Sequence, residues 1–521
     1  MSRIFEQRLG EVAAREVTLT GGLKGIEKES LRVDAGGYLA QTPHPESLGS
    51  ALTNTYITTD FSEALLEFVT SAFPSTWEAL RAICDIHQFT YENLGDELLW
   101  VASMPCRIPA DREIPLALYG DSNVGQMKTV YRRGLGHRYG RHMQTIAGVH
   151  FNYSLPQTFW PAYSKLVCDD CNDDDVRSEY YMGMVRNFRR LGWIILYLFG
   201  ASPALCKSFA GSRDLGMPAL NDSTWYEPYG TSLRMSDLGY NNQTQSTINI
   251  SLNNVDEYIR DLTAAIHTPN PAYELIGVKV NGRYEQLNAN ILQIENEYYS
   301  TVRPKRVAYS GERPTHALRR GGIEYVEIRS LDINLFDPCG INQNTMRFIE
   351  AFLIYCLLEE SPLLDDDALV EARENQLVTA RRGREPGVRL LRGGKQVALA
   401  DWATQIVECT RAVAELIDAE ATGNSYAAAV DEMRGLVEDP ETTPSARIIE
   451  ELRRENLSFF ELAMQTAKSH RDYFASITAL PDERRAEMTA EAADSLARQR
   501  AIEAADSISF DEYLENYFSA D

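Results

Sequence analysis

No apolar run in this sequence is long enough to cross a bilayer. The longest, Trp193-Ile194-Ile195-Leu196-Tyr197-Leu198-Phe199, is about a third of the roughly 20 residues that a spanning helix needs. Positive charge is short too: 51 Lys and Arg against 75 Asp and Glu give a formal charge of -24. That argues against non-specific nucleic-acid binding, although an anionic small molecule needs only a local cluster of arginines. Cysteine is thin, with 8 in 521 residues, and only Cys168-Asp169-Asp170-Cys171 has metal or redox spacing. A second CxxC or paired histidines are missing, and the acidic loop around it is not a thioredoxin strand-to-helix turn. Most of the other cysteines are expected to be buried small hydrophobes. Arg392-Gly393-Gly394-Lys395 comes nearest to a phosphate loop, but Arg389 stands where the first glycine belongs. A dinucleotide fingerprint is also absent, so any nucleotide chemistry here works without either device.

What is present is ample core material, 44% hydrophobic and 10% aromatic, in a chain beyond the usual single-core size. The pattern reads as one elaborated domain over 1–480, with strands mostly within 18–335 and helices over 340–480. An Ala/Glu/Arg-rich stretch at 481–521 reads as an acidic, solvated helical tail with a frayed end. Met1 to Val17 is charged and amphipathic rather than a secretory signal. The expectation is a cytoplasmic protein without membrane or nucleic-acid partners, and a monomer.

The chain is organised around Lys24–Val33, read as a strand with a return strand from Tyr38. Side chains alternate across a strand, so Glu27 and Glu29 share a face with Leu31 and Val33. Like charges so placed repel, and burying either alone is costly; a divalent cation would relieve both problems, whereas a solvated edge strand would avoid them. Tyr56 to Thr70 adds Asp60, Glu63 and Glu67. Asp60 has the opposite parity to Glu67, so it reaches the same site only through a bend or from the preceding turn. Helices are expected over 74–94, around Lys128, Tyr131 and Arg132, and over 176–200. Met143 to Ser154 reads as a strand with Gln144, His150, Asn152 and Ser154 on one polar face; a metal or phosphate site and a purely structural role both fit. The loop-rich stretch 209–242 offers Arg234 and Tyr240 as ligand contacts. Gly321–Asp332 reads as another strand, with Glu327 and Arg329 side by side, suited to a cation and an anion or to each other. Beyond Asp337 helices are expected over 345–359, 365–379, 400–421 and 445–474.

Glu27, Glu29, Asp60, Glu67 and Glu327, joined by His150, form a cysteine-free donor set that selects Mg²⁺ or Mn²⁺ over Zn²⁺. With arginines at 132, 234, 303, 306 and 329, such a set suits phosphoryl transfer from ATP.

The motifs Gly25-Ile26-Glu27-Lys28-Glu29-Ser30-Leu31-Arg32, Ile57-Thr58-Thr59-Asp60-Phe61, Gly148-Val149-His150-Phe151-Asn152, Leu292-Gln293-Ile294-Glu295-Asn296-Glu297 and Arg303-Pro304-Lys305-Arg306 belong together. Across about residues 18–475 the sequence resembles the gammaproteobacterial type of glutamate–cysteine ligase. The resemblance implies an α+β fold, a glutamine-synthetase-like antiparallel sheet curved into a cup with helices packed outside. It implies ATP-dependent joining of the γ-carboxylate of L-glutamate to the amine of L-cysteine through a γ-glutamyl phosphate. By the same resemblance, Arg234, Arg329 and Glu327 are catalytic, and Phe61, Tyr131, Leu135, Tyr240 and Tyr299 form a small cysteine pocket. Arg132, Gln144, Thr145 and Asn152 supply further substrate contacts. A family disulfide reaches from the position of Cys106 to one near residue 164; Ser164 stands there, leaving Cys168 or Cys171 as substitutes.

Overall fold

In the computed structural model, which describes residues 2–15, 17–168, 170–211, 215–239, 248–309, 311–421 and 423–519, strand β1 (Leu23–Val33) has two faces of opposite character. Glu27 and Glu29 point to one, while Lys24, Ile26, Lys28 and Ser30 are buried on the other. Around it lie β2 (Ile57–Thr59), β3 (Leu65–Val69), β4 (Leu98–Leu99), β5 (Val149–Ser154), β6 (Val302–Lys305) and β7 (Tyr325–Leu331). They form one antiparallel sheet in the order β6-β7-β5-β1-β3-β2, with β4 on the far end of β1. Strands distant in sequence thus become neighbours: β5 lies between β1 and β7.

Alternation explains which face is which. Phe68 of β3, Phe151 and Tyr153 of β5, and Val326 and Ile328 of β7 are fully buried on the back face, where helices cover them. One such helix is α2 (Thr76–Asn93), started by Ser75, whose hydroxyl accepts from the Glu78 N–H; its His87 packs edge-on to Phe68. Another, Gln343–Leu358, sends Glu350 to Lys24 Nζ at 2.8 Å. The N-terminal helix α1 (Arg3–Ala14) packs Phe5 against Tyr355 of that same helix. On the open side, α3 (Asn123–Tyr139) forms a wall; Ser122 caps it, accepting from the Gly125 N–H.

Several elements depart from the sequence reading. The stretch 143–154 is not one strand: Met143–Thr145 is a 3-10 turn and extended pairing begins at Val149. The backbone between is held by Glu29, whose N–H donates to Gly148 O at 3.0 Å and whose carboxylate accepts from Gly148 N–H at 2.6 Å. The return strand from Tyr38 is reduced to a single bridge, Val33 to Leu39. The helix over 176–200 is two, Asp173–Leu191 and Trp193–Phe199, broken at Gly192. The helix over 445–474 is also two, because Asn456 takes φ 51° and Ser458 with Glu461 makes a capping box that starts afresh. The cysteine expectation changes most. Cys106 is bonded to Cys206, not to the residue 164–171 region, and Cys168 is bonded to Cys171.

The C-terminal stretch is helical and largely exposed, but docked along one side. It forms α4 (Asp482–Ala505) and α5 (Phe510–Ser519), with Met488, Ala492, Ser495 and Leu514 buried against the rest of the molecule. None of the described helices is long and apolar enough to cross a membrane.

Candidate active site

The sheet's antiparallel register assembles the acids. Glu27 stands opposite His150, Glu29 opposite Glu67, and Glu327 opposite both Asn152 and Arg303. His150 Nδ1 lies 3.1 Å from Glu27 Oε2 and 3.7 Å from Glu327 Oε1, and its Nε2 lies 3.8 Å from Glu29 Oε1. One ligand atom each from Glu27, His150 and Glu327 falls within 4.8 Å of the others, close enough to hold one divalent cation. Asp60 occupies the turn between β2 and β3, the second of the two routes its parity allowed. From there its charge acts on Glu67 and Glu29.

Burial and crowding disturb these carboxyls in opposite directions. Glu67 is raised well above the ordinary carboxylate range by burial, helped by the charges of Asp60, Glu27 and Glu29. Glu29 is also raised, again mainly by burial. Glu327 is held well below its ordinary value: burial works against the charge, but Lys305, Arg329, Arg303 and His150 together outweigh it. Two of the acids facing one another across β1 and β3 thus resist ionisation in the bare protein. That is the donor chemistry expected where a cation supplies the missing positive charge. The Oδ1 atom of Asn152 is buried without a donor among the described residues, while its Nδ2 donates to Glu27 Oε1 at 2.9 Å. The residues present therefore fit divalent cations.

The arginines stand behind and beside the acids. Arg329 Nη1 donates to Glu327 Oε1 at 2.7 Å, so the two neighbours on β7 do pair, and Arg329 keeps part of its side chain exposed. Arg234, on the 3-10 turn Leu233–Met235, is buried and donates to Arg329 O at 3.0 Å. Its guanidinium lies 4.0 Å from Asp332, whose carboxylate is fixed by Ala201 N–H and the hydroxyls of Ser202 and Ser232. Gly148 makes room for it: a Cβ there would fall 2.1 Å from Arg234 Nη2.

The other predicted contacts fall on the α3 side. Arg132 donates through Nε to Asp60 O and lies 4.6 Å over the Tyr119 ring, whose hydroxyl donates to Thr59 O at 2.7 Å. Phe61 is buried beside α3, and Leu135 and Tyr131 are partly buried on it. Tyr299 donates to Met235 Sδ at 3.3 Å, beside Arg234. Thr145 is fully buried with its hydroxyl on His142 O at 2.7 Å, and Gln144 sits on the same turn; this turn, not β5, carries both. Tyr240 lies outside the described residues.

Sequence reading did not single out Lys305 or Asp332. Lys305 Nζ reaches to 3.5 Å from Glu327 Oε2. The signal for Lys305 was its offset of two from Arg303, which puts both on one face of β6, Arg303 directly opposite Glu327 and Lys305 opposite the neighbouring Tyr325. Asp332 carried none, because its partners come from residues 201–202 and 232.

Carboxylates and a histidine that could hold a divalent cation on one face of an antiparallel sheet, edged by arginines, are an arrangement suited to an enzyme that uses a nucleoside triphosphate to activate an oxyanion. Comparison with known proteins narrows this. The chain matches the glutamate-cysteine ligase family over residues 8–378. It is 51% identical over 521 residues to the glutamate–cysteine ligase of Alcanivorax borkumensis, covering 99% of each chain. To that of Pseudomonas entomophila it is 46% identical, covering 99% of this chain and 97% of the other. The crystal structure of glutamate–cysteine ligase from Francisella tularensis in complex with AMP superposes with a TM-score of 0.90 at 36% identity, covering 96% of this chain and 98% of that one. The chain belongs to the glutamate–cysteine ligase family, and its activity is the ATP-dependent first step of glutathione biosynthesis.

Proposed function

We propose that the reaction runs through a γ-glutamyl phosphate on the open face of the sheet, with Glu27, Glu29, Asp60, Glu67, His150 and Glu327 holding Mg²⁺ or Mn²⁺. The single observation that carries this is the Glu27–His150–Glu327 cluster, with Arg329 bonded to Glu327. A free carboxylate repels nucleophiles by its own charge. One γ-carboxylate oxygen of glutamate therefore attacks the terminal phosphorus of ATP, and the bond to ADP breaks. The cysteine nitrogen then attacks the acyl carbon, phosphate leaves, and the nitrogen loses its proton. Bound divalent ions supply screening of phosphate and carboxylate charge.

The chain's own residues do the rest. Arg234 and Arg329 take the substrate carboxylate and the transferring phosphoryl group between them. Lys305, projecting beyond Glu327, adds a third cation on the β6 side. Phe61, Tyr131, Leu135, Tyr240 and Tyr299 enclose the cysteine side chain and exclude water from the acyl phosphate. Arg132, Gln144, Thr145 and Asn152 contribute further contacts. The protein acts as a monomer in the cytoplasm on L-glutamate, L-cysteine and ATP.

The test is phosphate release from ATP and Mg²⁺ with glutamate alone, then with glutamate and cysteine, with the product identified by mass. Strong release only with both, together with γ-glutamylcysteine, is the expected result. Release independent of any amine would remove cysteine as the acceptor while leaving the metal site intact.

A further inference from the structure

The last two helices lie outside the segment that matches the family and touch α3 on one side of the proposed cysteine pocket and the chain leading to Asp60 and Phe61 on the other. Helix α4 rests on the chain that leads to Asp60 and Phe61. Ser50 N–H donates to Ser495 Oγ at 2.9 Å, Thr53 Oγ1 to Ser495 O at 2.5 Å, and Thr55 N–H to Glu491 Oε1 at 2.8 Å. The approach is close enough that a Cβ on Gly49, whose φ is +85°, would lie 2.8 Å from Ala492 Cα.

Between the helices the chain crosses the start of α3. Asp506 Oδ2 accepts from Asn123 N–H at 2.5 Å, while Asn123 Nδ2 donates to Ile508 O at 3.1 Å. A carboxylate from the C-terminal stretch thus satisfies a first-turn N–H that α3 cannot satisfy itself, at the positive end of its dipole. Helix α5 then packs Phe510, Tyr513, Leu514 and Tyr517 against Met127 and Val130 of α3, with Tyr131 in the same cluster. It also grips a short antiparallel hairpin, Lys279–Val280 paired with Arg283–Tyr284, beside α3: Asp511 accepts from Tyr284 OH at 2.6 Å and from Lys279 Nζ at 2.9 Å, and Arg133 of α3 donates to Tyr284 O.

On its pocket side α3 meets the Asp60–Phe61 turn through Arg132 on Asp60 O. The strands carrying Glu27, His150 and Glu327 share no hydrogen bond or ion pair with residues 482–519 among those described.

We propose that residues 482–519 are a strap that sets the width of the cysteine pocket by clamping α3 against the Asp60–Phe61 turn, with Asp506, Phe510 and Leu514 as positioning residues. This rests on the assignment of Tyr131 and Phe61 to cysteine given above. The strap holds the rim from outside and touches no reacting atom, so loosening it enlarges the pocket without dismantling the cation site.

The experiment compares full-length Asp506→Asn and the double variant Phe510→Ala/Leu514→Ala with Tyr131→Ala as reference. Michaelis constants for cysteine and ATP, kcat, and hydrogen exchange over residues 123–139 are measured for each. In the double variant the cysteine constant is expected to rise by about tenfold, a loss of about 1.4 kcal/mol of binding. The ATP constant stays within about twofold, and exchange in α3 quickens. Asp506→Asn shifts in the same direction by less. An unchanged cysteine constant in both strap variants, with Tyr131→Ala raising it, overturns the strap and leaves the pocket assignment standing. Equal rises in the cysteine and ATP constants overturn it as well, since that is general loosening. If Tyr131→Ala leaves the cysteine constant unchanged, the pocket assignment falls and the strap falls with it.

Discussion

Arg234 occupies space that Gly148 leaves by having no side chain, 2.1 Å from where a Cβ would stand. Gly148→Ala must therefore displace the guanidinium, because the glycine backbone is pinned by Glu29 on both its N–H and its carbonyl. A loss of kcat on the order of 10- to 100-fold is expected, with far less effect on the melting temperature. Steady-state kinetics alongside a thermal scan checks it; an unaltered kcat would detach Arg234 from catalysis. Behind the sheet, Lys28 Nζ sits 2.8 Å from His87 Nε2, and His87 Nδ1 is 2.7 Å from Ile83 O. The neutral ring thus donates at Nδ1 and accepts from the lysine at Nε2, and burial, with Lys28 beside it, holds His87 well below its usual range. Burial pushes Lys28 down to about 8. An unfolded chain keeps that proton to about 10.4, so between these values the unfolded state binds more protons and stability rises with pH. Below about 8 the cost of the buried charge is fully present. The wild-type protein should gain up to about 3 kcal/mol across this window from Lys28, and Lys28→Met should lose that slope. Denaturant titrations at stepped pH measure it.

At the scale of elements, the register of β1 against β3 places Glu29 directly opposite Glu67. Like charges so opposed destabilise a bare sheet. Glu67 is raised by burial and its acidic neighbours, so the folded state holds its proton to higher pH than the unfolded chain does. Its stabilising contribution is present at low pH and lost as pH rises through the folded value. Glu67→Gln should therefore melt higher than the wild type in chelator, with the gap widening as pH rises, and should gain less on adding Mg²⁺. An identical Mg²⁺-induced shift in both proteins would take Glu67 out of the cation site. Much of this was legible beforehand: parity put Glu27 and Glu29 on one face and called for either a bend or a turn at Asp60. Which strands would be neighbours was not, because β1, β5 and β7 are far apart in sequence and pair only through long-range closure. The capping box at Ser458 and Glu461 was legible in principle, yet unbroken helical periodicity on both sides concealed it.

For the molecule as a whole, Cys106 and Cys206 join points 100 residues apart, tying the segment after β4 to the chain that leads into the Arg234 turn. Closing so long a loop removes unfolded-state freedom worth about 4–5 kcal/mol in the chain-entropy account. Cys106→Ser should lower the denaturation midpoint in non-reducing buffer, and the difference should vanish in dithiothreitol. A difference that persists under reduction would assign the effect to packing of the side chain. The C-terminal strap belongs to this scale also. Its composition, rich in Ala, Glu and Arg, is that of a solvated helix, and only Met488, Ala492, Leu514 and a few aromatics reveal a buried side.

Residue chemistry and local periodicity by themselves determined a great deal here. They put carboxylates on strand faces where no core wants them, gathered these with His150 into a donor set suited to hard divalent cations, and marked arginines suited to anions. Alternation and turn residues are short-range physics, so one sequence suffices to read them. The tertiary structure alone decided that Glu29 faces Glu67, that Arg234 rests on Gly148 with Asp332 behind it, that Cys106 finds Cys206, and that the last helices close over α3. Each of these is a contact between segments tens to hundreds of residues apart, fixed by burial and register that no local pattern encodes.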